Sequence, residues 1–251
     1  MKLDSEQHSE ALETADVPRP PAAADGIFGA RLPVAQRYAE ILAGSGVVRG
    51  LLGPREAPRL WERHILNCAV ITELIEEHSS VVDVGSGAGL PGLVIAIRRP
   101  DLRVTLVEPL LRRTRWLDEV VQALELSNVT VCRGRAEALW DELPSADVVT
   151  SRAVSALENL AVWSVPLVRP GGWWLPMKGA SVTDEIDGCR DLLREVGITS
   201  IQIVECGAEL LAEPTTVARL GVGTPRRLRR SAARKASGAK LARRKKKKGE
   251  R

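Results

Sequence analysis

Val81-Val-Asp-Val-Gly-Ser-Gly-Ala-Gly-Leu-Pro-Gly-Leu-Val-Ile-Ala-Ile97 reads as a strand, a glycine loop and the start of a helix. The three valines around Asp83 are β-branched and apolar, as a buried parallel strand requires. Gly85, Gly87 and Gly89 alternate where neither a strand nor a helix tolerates glycine without a reason. Pro91 then falls where the first turn of a helix accepts a missing N–H, and the apolar run to Ile97 continues that helix. Such a unit cradles a nucleotide-type cofactor. Glycine lets the backbone come close to the ligand, and the free N–H groups of the helix start supply donors.

The kind of cofactor turns on two carboxylates. Gly87-Ala-Gly89-Leu-Pro-Gly92 satisfies the G-x-G-x-x-G spacing of dinucleotide sites. Asp83, however, is expected at the mouth of the loop, where it would repel a pyrophosphate and suit a cation. S-adenosyl-L-methionine carries an ammonium and a sulfonium and no phosphate, so the acidic residue fits it. Glu108 ends the next expected strand, about 20 residues past the glycines, and is placed to accept hydrogen bonds from ribose hydroxyls of either cofactor. Gly85, Gly87, Asp83 and Glu108 are therefore candidate cofactor contacts; the alternative, that Asp83 is only a strand-end turn residue and Glu108 a solvated loop charge, is the weaker reading for the pair in this context.

From residue 79 onward, strands and helices alternate. Strands are expected at 81–84, 103–107, 129–132, 147–151, 172–177 and 198–204, with a short one near 215–219. Helices are expected at 91–98, 112–126, 135–141, 157–168 and 183–196. That rhythm implies an α/β fold, a mainly parallel sheet with helices on both faces and an antiparallel pair at the C-terminal end. Ligands of such sheets bind at the carboxyl ends of the strands. Residues 83, 85, 108, 133–137 and 151–152 all fall at such ends. Two amphipathic helical patterns, near 32–42 and 58–77, make an N-terminal cap over 26–78, ahead of a catalytic domain over 79–223. Residues 1–25, rich in Glu, Ala and Pro, read as a disordered leader, and 224–251 as a disordered basic tail.

Composition narrows the partners. Of 36 Lys and Arg, 14 fall in residues 224–251 against one acidic residue there, Glu250, a net +13; the other 223 residues carry −9 of the total +4. The body is acidic and the tail suits a polyanion such as RNA or a ribosome, unless it is simply a solvated appendage. No apolar run approaches the length of a membrane span and no secretory signal is visible, so a cytoplasmic protein without a membrane partner is expected. Cys68, Cys132, Cys189 and Cys206 form no C-x-x-C pair and read as reduced thiols, with no metal site. No long heptad or exposed apolar stripe suggests assembly, so a monomer is expected.

The loop D-V-G-S-G-A-G-L-P-G, together with Trp61-Glu-Arg-His-Ile-Leu66, Gly134-Arg-Ala-Glu137 and Ser151-Arg-Ala153, resembles the bacterial RsmG (also called GidB) family over roughly residues 30 to 220. The resemblance implies a Rossmann-like class I S-adenosylmethionine-dependent methyltransferase. It further implies methyl transfer to N7 of a guanosine in the decoding-region loop of 16S ribosomal RNA, within the small subunit or its precursor. The cofactor contacts it implies are Gly85, Leu90, Ala136, Glu137 and Arg152, with Arg152 also the candidate catalytic residue. Asn67-Cys68 stands where many relatives carry Asp-Ser, and the basic tail and acidic leader lie outside the family's common body.

Physics is compatible with those assignments and leaves alternatives. Leu90 supplies apolar contact or simply packs in the core. Arg152 lines the pocket, or forms a structural ion pair with Asp83 or Glu108. Guanine N7 has a lone pair at neutral pH, so transfer needs alignment and no general base. That agrees with the lack of an Asp/Asn-Pro-Pro-aromatic motif and of a Pro-Cys nucleophile at the fourth strand end. Candidate RNA contacts are Arg152, Lys178, Arg63 and His64; a lone His such as His64 is more often a packed or surface residue, and Lys178 reads equally as a solvated strand-end lysine. Two other functions use the same glycines: an NAD-dependent oxidoreductase, which would lack a Tyr-x-x-x-Lys pair because Tyr38 lies in the cap, and a non-catalytic RNA-binding or ribosome-assembly factor.

Overall fold

A computed structural model describes residues 18–179 and 181–228. Seven strands form one sheet in the order β3-β2-β1-β4-β5-β7-β6. They are β1 (Ser80–Val84), β2 (Arg103–Glu108), β3 (Val129–Arg133), β4 (Ala146–Arg152), β5 (Val168–Met177), β6 (Ile198–Cys206) and β7 (Thr215–Val222). β1 to β5 run parallel, and β7 lies antiparallel between β5 and β6. Strand order reverses between β1 and β4, which pair through Val81–Val148, Val82–Val149 and Asp83–Thr150. A crevice opens at that reversal because the connections leave in opposite directions.

Alternation along the strands splits the apolar residues into two cores. Val81 and Val148 face the core shared with the N-terminal cap, while Val82, Val84 and Val149 face the opposite one. The first core is covered by α1 (Ala22–Phe28), α2 (Leu32–Ile41), α3 (Asn67–Val70), α4 (Gly92–Arg98) and α5 (Leu111–Ala123). The second is covered by α6 (Leu157–Ser164) and α7 (Val182–Val196). Cap and sheet thus bury one continuous apolar surface. Polar ties reinforce the join: Arg98 donates to the Ala69 carbonyl (2.7 Å) and Arg31 to that of Ile97 (3.1 Å).

Residues 18–25 of the expected leader are packed on the cap. Trp61 Nε1 donates to the Pro18 carbonyl (2.8 Å), and α1 begins at Ala22 directly after Pro21. Proline cannot continue a preceding turn but accommodates a helix that starts after it. Residues 1–17 lie outside the described residues, as do 229–251, most of the basic tail. The tail's first residues, 224–228, are held against the domain. Arg226 N–H donates to the Val196 carbonyl (2.9 Å), and Arg227 pairs with Asp141 (2.6 Å) and lies over the Trp140 ring.

The single helix expected over 58–77 is instead a path of changing pitch. It runs as a tight 3-10 segment at Pro54–Arg59, a wide π-type turn at Trp61–Leu66, α3, and a second 3-10 turn at Ile71–Leu74. Pro58, inside the first segment, has no N–H for an α-helical bond. The helix expected at 135–141 shrinks to a 3-10 turn, Ala136–Ala138. Among the described residues no helix is long and apolar enough to cross a membrane.

Candidate active site

Three side chains, Asp83, Glu108 and Tyr38, hold the glycine loop. Asp83, fully buried at the end of β1, accepts the Gly92 N–H through Oδ2 (3.0 Å) and so ties the strand to the first turn of α4. Glu108, at the end of β2, accepts the Gly87 N–H (3.0 Å) and the Leu110 N–H (3.0 Å), one through each oxygen. From the cap, the buried Tyr38 hydroxyl donates to the Ala88 carbonyl (2.9 Å). Glycine is required at two points. Gly85 has φ +77°, and a Cβ there would stand 2.7 Å from Val154. At Gly92 a Cβ would strike Leu106 and stand 2.8 Å from Asp83 Oδ2.

Above the loop opens a cavity of about 630 Å³, lined by Gly85, Gly87, Leu90, Glu108, Arg113 and Arg152 among others. A smaller one of about 210 Å³ adjoins it across Gly85, Pro109 and Val154, and is lined by Ala136, Glu137 and Trp163. A third, about 370 Å³, is lined by Arg63, Asn67, Lys178, Thr215 and Thr216 and shares Arg152 and Ala153 with the first. Arg152 and Ala153 are therefore the partition between two chambers. Ala153 holds a left-handed conformation (φ +53°), so the chain turns sharply at that partition.

A network fixes the partition from the cap side. Arg152 Nη2 donates to the Arg63 carbonyl (2.9 Å) and meets His64 Nδ1 (2.8 Å), while Nη1 approaches Cys68 Sγ at 3.8 Å. His64 Nε2 in turn lies 2.9 Å from Glu56. Burial and the charge of Arg152 push the His64 imidazole below its usual pKa, against the opposing pull of Glu56. Burial raises the Cys68 thiol to about 11, which keeps it un-ionised and unreactive.

These placements sort the residues singled out in the sequence. Gly85, Gly87, Leu90, Glu108 and Arg152 line the chamber above the loop and Ala136 and Glu137 the one beside it. Asp83 departs from its expected position at the loop mouth. Its carboxyl is enclosed by β1, the loop and α4, and burial raises its pKa to about 7 even though the Gly92 N–H opposes that shift. Arg152 forms neither of the ion pairs expected as its alternative; its partners come from the cap. Lys178 is occupied by Glu185 (2.8 Å) and the Ser155 carbonyl (2.9 Å) and stands in the chamber wall, not on an open phosphate-binding surface. His64 is turned to Arg152 and Glu56. Arg63 is exposed at the third chamber.

The sequence did not point to Arg113, Glu56 or Val154, and it left Asn67 without a role. Arg113 pairs with Glu108 at 3.5 Å and lines the chamber above the loop; its spacing from Glu108 across the strand-to-helix turn was the available signal. Glu56 carried none, because its role depends on a cap turn that Pro58 and the wide turn at Trp61–Leu66 create together. Among the described residues no group of three His, Cys, Asp or Glu side chains could hold a metal ion.

Comparison with known proteins adds a second line. A family model described as rRNA small subunit methyltransferase G matches residues 31–213. A protein of Renibacterium salmoninarum named ribosomal RNA small subunit methyltransferase G is 54% identical over 207 residues, 82% of this chain and 96% of its own. One of the same name from Streptomyces coelicolor is 48% identical over 237 residues, 94% of this chain and 99% of its own. Among solved structures, an Agrobacterium tumefaciens protein titled a predicted O-methyltransferase superposes with a TM-score of 0.50 at 18% identity, covering 66% of this chain and 84% of that one. That likeness is one of fold.

Proposed function

Because the chain belongs to the family described as rRNA small subunit methyltransferase G, we propose that it methylates N7 of one guanosine in the decoding-region loop of 16S ribosomal RNA. The observation that carries this reading is the pair of chambers meeting at Arg152 and Ala153. One suits an adenosine-type cofactor and the other an extruded base, and they share the Arg152–Ala153 wall.

The residues present fit S-adenosyl-L-methionine. Gly85 and Gly87 present bare backbone to the chamber, Glu108 offers a carboxylate for the ribose, and the backbone at Ala136 and Glu137 lines a compartment suited to an adenine edge. When bound, the cofactor supplies an electrophilic methyl group. The chain's own contribution is placement. Leu90 and Val154 give apolar walls that exclude water, and Arg152 orients groups on both sides of the partition. Arg63 and Asn67 face the acceptor chamber, where a base and its phosphate would lie. The N7 lone pair is free at neutral pH, so no residue must remove a proton before transfer. Proximity then supplies most of the rate.

Purified protein, methyl-labelled cofactor and small ribosomal subunits from cells lacking this gene test the proposal. Label should map to one guanine N7 in the decoding-region loop, and Arg152→Ala should lower the rate by about 100-fold, as loss of a positioning contact does. Label at a different nucleotide, or full activity in that variant, would overturn the respective assignment.

A further inference from the structure

We infer that Glu56 and His64 form a positioning pair that holds Arg152 at the boundary of the two chambers, and that they do so only while His64 is uncharged. This rests on the methyltransferase reading proposed above. A guanidinium has donors and no acceptor, so the nitrogen 2.8 Å from Arg152, Nδ1, must offer a lone pair. The ring proton therefore resides on Nε2, where it donates to Glu56 at 2.9 Å. Glu56 selects that tautomer, the tautomer supplies the acceptor, and the acceptor fixes a long side chain that would otherwise sample several rotamers. Only 12% of the His64 side chain is exposed, so the ring is not free to turn away.

Protonation breaks the chain at its middle. An imidazolium has no acceptor and would stand beside a second cation with little water between them. The charged groups facing His64 are Glu56 from the preceding 3-10 segment, Arg63 from its own turn and Arg152 from β4. Behind Arg152 lie Cys68, Tyr38 and Asp83, and Glu108 and Arg113 face the same chamber. Burial and Arg152 lower the His64 pKa, so the pair stays intact at neutral pH and fails only below the ordinary histidine range of about 6.5. Asp83, with a pKa of about 7, titrates nearby, and the test must separate the two groups.

Initial rates of methyl transfer to small subunits, measured from pH 8.5 to 5.5 with the full chain, make that separation. His64→Ala should lower kcat by about 10-fold or more at pH 8 with a smaller change in KM, the signature of lost orientation. His64→Asn keeps an acceptor where Nδ1 stood and cannot titrate in this range. It should recover most of the loss and abolish the wild-type fall in rate below pH 6. The same acid fall in His64→Asn would assign the effect to Asp83 or another group and overturn the proposal, as would full activity in His64→Ala. A nitrogen NMR titration of His64 reads the pair without activity. The neutral Nε2–H tautomer should persist below pH 6.5, Glu56→Gln should lower the apparent pKa, and Arg152→Ala should raise it. An Nδ1–H tautomer, or a charged ring at pH 7, would sink the pairing even if methylation proceeds. Absence of any methyl transfer by a wild type that passes the NMR test would strike the proposed function instead.

Discussion

Asp83 shows how far one residue's chemistry departs from its position in a motif. Its carboxylate lies at the end of the first strand, as expected, but faces the cap-side core, where Oδ2 holds the Gly92 N–H and Oδ1 is buried without a partner. Burial raises its pKa from an ordinary carboxylate value to about 7. The sign of the linkage follows. The folded chain retains a proton that the unfolded chain releases above about pH 4, so the stability Asp83 contributes is present at low pH and declines as pH rises towards 7. Asp83→Asn removes that titration. Its stability relative to wild type should therefore rise between pH 4 and pH 8 by at least about 1 kcal/mol in denaturant melts. A difference independent of pH would show that the carboxyl ionises freely in the fold.

At the scale of elements, the loop between β1 and α4 works because three neighbours approach its backbone. Asp83, Leu106 and Leu93 leave no room for side chains at Gly92 and Gly89. Gly92→Ala should destabilise by about 2–4 kcal/mol through overpacking and loss of the Asp83 hydrogen bond, and it should weaken cofactor binding in parallel. Calorimetric titration of the folded fraction checks both. The glycines, the strand and the helix were legible in the sequence because each obeys a local rule: β-branched residues in a buried strand, proline in a first turn. The cap was not legible in the same way. Its apolar periodicity predicts one helix over 58–77, whereas Pro58 and the wide turn at Trp61–Leu66 break the pitch and set Glu56, Arg63 and His64 around Arg152.

For the whole molecule, the charge split between body and tail gains a structural boundary. Residues 224–228 tie back to α7 and to the Trp140 turn, with Leu228 packed on the second core. The basic run beyond them carries 12 Lys and Arg between residues 229 and 251. Removal of 229–251 should leave the melting temperature within about 2 °C, while removal from residue 224 should lower it by about 3–5 °C, the scale of 1–2 kcal/mol for a domain of this size. If the tail serves as an electrostatic arm for ribosomal RNA, the shorter truncation should also flatten the salt dependence of subunit binding by several units of slope. An unchanged slope would leave RNA binding to the body alone.

The local pattern of the chain determined which segments are strands, where the ligand edge of the sheet lies, and which glycines line it, because those properties depend on residues close in sequence. Glu108, Ala136, Glu137 and Arg152 could be placed at strand ends for the same reason. The fates of their side chains could not. Whether Arg152 meets Asp83, Glu108 or His64, whether Lys178 faces RNA or Glu185, and whether Asp83 faces ligand or helix depend on groups 7 to 88 residues distant. The packing of the cap against the sheet excludes water from Asp83 and sets His64, and not solvent, beside Arg152, while the packing of α7 beside the end of β5 gives Lys178 its partner Glu185.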